Sequence, residues 1–518
     1  MKKIVRFLKD NKIIFITLLL LLYGLLLRLY LPYQIPIHEN NHGIFFMNGL
    51  YNSTYTISEI LDKYIFIKDQ FIEQMNYGLS PKIFYSFLVK NLGFSYNIIF
   101  LCQILFSLLT VLFTSIVAYK LSGKKILYYA ILILGVALPY NIKFSSTDEF
   151  MIIGNFFISI SLFFYVIYLE KQKYLYLFLG LVFFLLAIYT RNLYLLFSVF
   201  YLFLFLFYFL NKKYSNKKLL INSILAVLII IPLSISRIKV LLFTFDKNSG
   251  GFDIHNYLFL PGYFTSDLTP YIYILLLVIG LIVSGYLFIK NKVRYKIIIL
   301  YYIIIIYIFS ILLVMINADT LFLLQERLQN LFVPLFVILS GIGLYCLIHY
   351  MKLIYIKIIL LIFLTLPFFY IGNIKELYSP FEEYLFLKQN VDILGNNFNL
   401  MILGDSESRV FNNFPEFLIH DKKYNIYGIS SDDKRYKDFN LIYDKIKNEN
   451  NYFILSYDCY RGNNIGKNML KICEDIENLY TFEVVKEKYI ENKAYVFYNI
   501  NDEKMLRIGI YKIIGKKG

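Results

Sequence analysis

Charge is scarce in this chain. Of its 518 residues only 17% are Asp, Glu, Lys or Arg, while 58% are hydrophobic, and the mean hydropathy is +0.58. A soluble globular protein carries far less apolar content than this, so that class is excluded. Tryptophan is missing altogether. With isoleucine, asparagine, lysine and tyrosine abundant, its absence reflects AT-rich coding rather than mechanism. Cysteine is limited to Cys102, Cys346, Cys459 and Cys473, without metal-type spacing. Cys102 and Cys346 sit in apolar segments. Cys459 and Cys473 lie in the polar tail, where an oxidising compartment would let them pair, although spacing alone does not bring them together. There is no internal repeat and no low-complexity linker.

What the chain has instead is a series of apolar runs of bilayer-spanning length, roughly 12–31, 96–119, 126–142, 150–169, 174–190, 192–210, 219–236, 271–290, 297–316, 331–350 and 353–374. The first follows "MKKIVRFLKDNK" and resembles a signal peptide in its flank. Its apolar core is too long and no small-residue cleavage site follows, so it is read as a retained span. The expected fold is a polytopic α-helical membrane protein of about eleven transmembrane helices. It occupies residues 1–374 and is followed by a C-terminal extracytoplasmic α/β domain at 375–518.

The formal net charge of +16 would suit nucleic acid, but its placement argues otherwise. Lysine concentrates in alternate short loops: "YKLSGKK" (119–125), "EKQK" (170–173), "NKKYSNKK" (211–218), "KNKVRYK" (290–296) and "HYMK" (349–352). The intervening loops, 32–95, 140–149, 237–270 and 317–330, are longer or less basic. The positive-inside rule then puts the N-terminus in the cytoplasm and the tail outside a cytoplasmic membrane. Membrane lipids are expected partners and nucleic acid is not. In the tail, short apolar runs at 398–404, 423–430, 451–457 and 493–500 alternate with polar helical ones at 439–450 and 469–480, the pattern of a small α/β sheet domain.

The loops on the lysine-poor side carry the chemistry. Just past the first span, "PIHENNHG" sets Glu39 between His38 and His42, and "SSTDEF" carries Asp148 and Glu149. Carboxylates beside apolar helix ends are costly if dehydrated and point to a site, though solvated loop residues would look the same. Arg28, Arg191, Arg237 and Arg327 fall at the same ends, against the positive-inside trend. A guanidinium fork suits phosphate oxygens; snorkelling to head groups is the structural alternative.

Taken in order, these segments resemble the GT-C superfamily of membrane glycosyltransferases, in particular the branch of protein O-mannosyltransferases and lipid A aminoarabinose transferases. The carrying motifs are the acidic first loop at Glu39, "YGLSPKIFYSFLVKNLGFSYN" (77–97) with Pro81, "ALPYNIKFSSTDEF" (137–150), "YTRNLYLL" (189–196), and "QERLQNLFVPLFVILSGIGL" (325–344) with Arg327 and Pro334. Two positions depart from the family pattern: His-Glu stands where an acidic pair is usual, and Arg327-Leu328 stands for Arg-Tyr. The resemblance implies transfer of a sugar from a polyprenyl-phosphate donor to a hydroxyl of a glycan, lipid or protein, with inversion. It implies Glu39 as general base or acceptor-orienting group, Asp148 holding the acceptor or a cation, and Arg191, Arg237 and Arg327 on the donor phosphate. His38, His42 and Glu149 are supporting residues. No cofactor is required; two histidines and a glutamate are a thin ligand set for a divalent metal.

Other readings are weaker. "LMILGDSESRVF" resembles the first block of GDS-type hydrolases, with Ser406 as nucleophile. The tail's only histidine is His420, outside any late Asp-x-x-His block, so a turn capped by Asp405 or Ser406 is the simpler reading. A polysaccharide polymerase or ligase generally lacks the acidic first loop and the soluble tail. A lipid-linked glycan transporter would show repeated halves and ionisable groups near mid-span. The topology makes a first prediction: reporter fusions at Asn216 and at the C-terminus should report opposite sides of the membrane, and a common side would overturn it.

Overall fold

A computed structural model describes residues 12–30, 79–92, 96–145, 151–198, scattered positions between 201 and 282, 333–350, 386, 389–395, 397–403, 423–429, 450–455, 476–491 and 505–517. These fall in two compact units. One is Met1–Pro32, Ser53–Phe84 and Tyr96–Ile374 and holds the apolar helices, with the helix Leu79–Leu92 divided between the units; the other is Tyr33–Asn52, Tyr85–Ser95 and Lys375–Gly518 and holds the sheet.

The helices are α1 (Lys12–Tyr30), α2 (Leu79–Leu92), α3 (Tyr96–Ser122), α4 (Lys125–Ala137), α5 (Pro139–Ser145), α6 (Met151–Lys171), α7 (Tyr174–Ile188) and α8 (Val333–Tyr350). Two stretches among the described residues, Phe100–Ser122 and Met151–Lys171, are long and apolar enough to cross a membrane. Ile13–Leu29, Lys125–Ala137, Tyr174–Ile188 and Phe336–His349 are shorter apolar helices. The expected spans 297–316 and 353–374 lie outside the described residues.

Two expected spans are broken, each for a local reason. The run 126–142 divides at Leu138, which is extended (φ −62°, ψ 114°). Proline at 139 crowds the residue before it out of the helical region and then starts α5. The run 192–210 does not begin as a regular α-helix. After α7 the chain turns at Tyr189–Thr190 and forms a 3-10 helix over Asn192–Phe197. Thr190 Oγ1 donates back to Leu186 O at 2.9 Å, the local side-chain bonding that favours helix ends over helix interiors. Conversely, α2 was not expected as a helix. Pro81 is its third residue, within the first turn, where a missing N–H breaks no intrahelical bond.

The helices alternate in direction, and the termini sort by charge. Lys120 near the end of α3 pairs with Glu170 near the end of α6 at 3.1 Å, so the loops 119–125 and 170–173 share one end of the bundle. Gly123 closes α3 there in the left-handed conformation (φ +67°), with its N–H on Tyr119 O at 2.7 Å. Thr17 and Tyr128 share a hydrogen bond of 2.8 Å, so α1 and α4 start together and run parallel. Between α3 and α6 the packing is aromatic: Phe106 stacks on Phe156 at 4.9 Å and Phe113 lies 5.3 Å from Phe163.

The sheet runs β2-β1-β3-β5-β4, from β1 (Asn397–Leu403), β2 (Lys423–Ile429), β3 (Asn451–Leu455), β4 (Tyr480–Glu491) and β5 (Met505–Lys516). β1 pairs in parallel with both β2 and β3, while β5 is antiparallel to β3 and β4. The first three strands match the apolar runs in the sequence; the run 493–500 lies outside the described residues. Asn399 and Asn451 face each other in register, and an amide–carbonyl bond of 2.8 Å between their buried side chains ties β1 to β3. Tyr511 donates to Glu487 at 2.6 Å across β4–β5. Burial, with this hydrogen bond second, pushes the Tyr511 phenol above its usual value.

Helix α8 is wedged in by glycine. A Cβ on Gly343 would meet Leu276 O at 2.0 Å, and one on Gly280 would meet Leu339 O at 2.2 Å. These are backbone atoms that cannot swing aside. Alanine gains about 1 kcal/mol of helix propensity over glycine, but the clash outweighs it. Gly343→Ala should therefore lower stability by about 1–3 kcal/mol, read as a lower unfolding midpoint in detergent. Gly515→Ala, with nothing within 4 Å of its Cβ, should stay within about 0.5 kcal/mol.

Candidate functional site

Of the residues singled out in the sequence, His38, Glu39, His42, Asp148, Glu149 and Arg327 lie outside the described residues, as do Asp405, Ser406, His420, Cys459 and Cys473. Arg28, Arg191 and Arg237 are described, and the structure separates their roles.

Arg237 is fully buried, within the helical stretch 228–239. Its guanidinium lies 4.7 Å from the centroid of the Tyr189 ring. A ring face attracts a desolvated cation by about 2 kcal/mol. The Tyr189 hydroxyl donates to Leu233 O at 2.7 Å, so the phenol is fixed at both edges and the cation above it is fixed in turn. Tyr189 is the residue that ends α7, and the next two residues are Thr190 and Arg191. The sequence motif "YTRN" and Arg237 thus form one unit, at the end of the bundle opposite Lys120 and Glu170.

Two further segments close on this unit. Ser80 N–H donates to Tyr189 O at 3.2 Å, which sets the Ser80–Pro81 start of α2 against the motif. Tyr194 Oη stands 2.9 Å from Met151 O and 2.9 Å from Asn155 Oδ1, which sets the motif against the first turn of α6. Gly154 makes room for that ring, since a Cβ there would lie 2.3 Å from Tyr194. Asp148 precedes Met151 by three residues in the sequence.

Two buried polar atoms on these same segments, Asn192 Oδ1 and Ser234 Oγ, make no hydrogen bond. Buried polar atoms are paired in the large majority of cases, with protein or with ordered water. Ser234 lies one turn before Arg237, and Asn192 follows Arg191. Arg191 itself is partly exposed, with its N–H on Ala187 O at 3.1 Å. The arrangement therefore offers a buried guanidinium, a partly exposed arginine and two unsatisfied oxygens, which suits a ligand that is anionic and also carries hydroxyl groups.

Arg28 behaves differently from the expectation of a snorkelling or phosphate-binding side chain. It is 1% exposed and all its hydrogen bonds go to neutral protein acceptors: Ser107 Oγ, Gly24 O and Val136 O. Snorkelling needs a water-facing head group, and this one has none.

Among the described residues no three His, Cys, Asp or Glu side chains come together as metal ligands. Cys102 lies within α3 and Cys346, buried, within α8. Tyr189, Asn192, Tyr194, Asn155 and Ser234 were not singled out in the sequence. The signal available was weak: polar and phenolic residues clustered at the end of an otherwise apolar run.

No family model matches the sequence, and no curated protein matches it significantly. Among solved structures the chain is similar to the oligosaccharyltransferase of Archaeoglobus fulgidus. Against the crystal structure in complex with zinc and sulfate the TM-score is 0.53 at 10% identity, covering 90% of this chain and 72% of that one. Against the apo form it is 0.54 at 10% identity, covering 93% and 73%. At such identity the likeness is one of fold alone: the chain shares the overall fold of the A. fulgidus oligosaccharyltransferase.

The phenol under Arg237 yields a prediction. Tyr189→Leu removes both the ring face and the hydroxyl, and should destabilise the protein by about 2 kcal/mol or more. Tyr189→Phe keeps the ring and should cost about 1 kcal/mol. Unfolding of the detergent-solubilised protein measures both, and equal losses would mean that the hydroxyl alone matters.

Proposed function

We propose that this chain is an integral-membrane glycosyltransferase. It moves a sugar from a polyprenyl-phosphate donor to a hydroxyl acceptor on the outer face of the cytoplasmic membrane, with inversion at the anomeric carbon. The observation that carries the reading is the convergence of "YTRN", Arg237, the Ser80–Pro81 turn and the start of α6 at one end of the bundle. These are the segments whose order in the sequence resembles GT-C transferases, and the likeness of fold to the A. fulgidus oligosaccharyltransferase supports the same reading.

In this reading the phosphate of the donor lies against Arg237, Arg191 and Arg327. Fixed cations there stabilise the charge that grows on the leaving phosphate as the glycosidic bond breaks. A guanidinium already locked over Tyr189 needs no reorganisation at that moment. Asn192 Oδ1 and Ser234 Oγ are placed to accept and exchange hydrogen bonds with sugar hydroxyls. Glu39 takes the proton of the attacking acceptor hydroxyl, Asp148 holds the acceptor, and His38, His42 and Glu149 support them. The phosphate leaves as the anion and the acceptor oxygen forms the new bond to the sugar carbon.

The acceptor is a glycan, lipid or protein. The A. fulgidus structure holds zinc. The described residues of this chain contain no group of three ligands for it. Residues 1–374 form the catalytic membrane domain, and 375–518 an extracytoplasmic domain that binds the acceptor.

The test is Glu39→Gln, which keeps size but cannot take a proton. Transfer, measured in membranes with radiolabelled lipid-linked sugars extracted from the source cells, should fall by about 10²-fold or more with insertion unchanged. Near-normal turnover removes Glu39 from the mechanism.

A further inference from the structure

Among the described residues the buried cation Arg28 has no carboxylate partner, an arrangement that lowers stability unless something requires it. Its surroundings identify the requirement. Pro139 has no N–H, so the carbonyl of Gly135, four residues earlier, loses its intrahelical donor. Leu138 is extended, so the last turn of α4 cannot continue to serve Val136 O. Asn141 Nδ2 donates to Gly135 O at 3.1 Å and Arg28 Nη1 donates to Val136 O at 2.9 Å. Both carbonyls freed by the proline are thus satisfied by side chains.

The two donors are joined. Arg28 Nε and Nη2 donate to Ser107 Oγ at 3.2 and 3.1 Å. Ser107 in turn donates to Asn141 Oδ1 at 3.1 Å. Arg28 Nη1 also donates to Gly24 O at 2.9 Å, which anchors the guanidinium to its own helix. One connected network therefore links α1, α3, the end of α4 and the start of α5, and every member is buried: Arg28 1%, Ser107 1% and Asn141 2% exposed.

We propose that Arg28 is a positioning residue, which clamps the end of α1 to the α4–α5 break, the two helix ends that lead in sequence to Glu39 and to Asp148. In sequence, α1 ends at Tyr30, ahead of Glu39, and α5 ends at Ser145, ahead of Asp148. Among the described residues this network joins the two leads through side chains, and it rests on neutral acceptors that a lysine cannot reach in the same fork. The consequence for catalysis rests on the functional reading above; the clamp itself does not.

The experiment uses the full-length protein in detergent or nanodiscs. Arg28→Met keeps much of the length and removes the donors. Hydrogen–deuterium exchange over 137–145 should rise while 155–185 is unchanged. Binding of undecaprenyl phosphate should stay within about 2-fold, whereas transfer from extracted lipid-linked sugars should fall by about 10²-fold, the scale of an ångström-level misplacement. Arg28→Lys should recover only part of the rate. If Arg28→Met does not fold, Asn141→Ala carries the same readouts. Unchanged exchange over 137–145, or a loss of transfer that merely tracks a loss of phosphate binding, overturns the proposal. Raised exchange together with an active Glu39→Gln enzyme would leave the clamp standing and remove the functional reading instead.

Discussion

A guanidinium inside an apolar bundle must find its hydrogen bonds in protein, because no water is there to supply them. That constraint governs the first half of the helical unit. Arg28 reaches three helices at once, and it does so where a proline has opened the backbone. The break at Leu138–Pro139 would by itself leave two unsatisfied carbonyls in a region that cannot tolerate them. With Arg28 and Asn141 in place, the break becomes a stable change of direction. The chain can then leave α4 by a fixed route toward the acidic segment.

The same logic recurs at the second cluster. Arg237 is held against a phenol whose hydroxyl is itself committed to Leu233 O. The 3-10 turn that follows places Tyr194 against the start of α6. Tyrosine serves well here because its ring packs among aliphatic side chains while its hydroxyl reaches a backbone carbonyl. With 49 tyrosines and no tryptophan in the chain, this is the aromatic residue available for such joints. Burial fixes the two arginines differently: one has its donors spent on the fold, and the other is held over the Tyr189 ring.

Much of the helical architecture was legible in the sequence. Runs such as Tyr96–Ser122 and Met151–Lys171 are apolar over a bilayer-spanning length, and the lysines of 119–125 and 170–173 mark the ends that the Lys120–Glu170 pair brings together. The strands at 397–403, 423–429 and 451–455 were legible because they are short apolar runs between polar ones. β4 was not. Tyr480–Glu491 sits at the sheet edge with Glu483, Val484, Lys486, Lys488 and Tyr489 exposed, so its residues carry no clean two-residue alternation. Pairing with β5, with a register irregularity at Val484/Lys486, decides its conformation.

The sequence by itself determined that the chain is membrane-like in composition, where its apolar runs lie, and which few polar residues interrupt them. Hydropathy and charge are properties of residues in order, and a bilayer or a core reads them directly. Only the tertiary structure decided what each interrupting residue does. Arg28 and Arg237 look alike in sequence, each an arginine at the end of an apolar run. Whether such a side chain snorkels, locks a helix break or faces a binding site depends on which carbonyls, rings and hydroxyls other helices bring within about 3–5 Å of it, and that proximity is created by packing between residues as far apart in the chain as Arg28 and Val136.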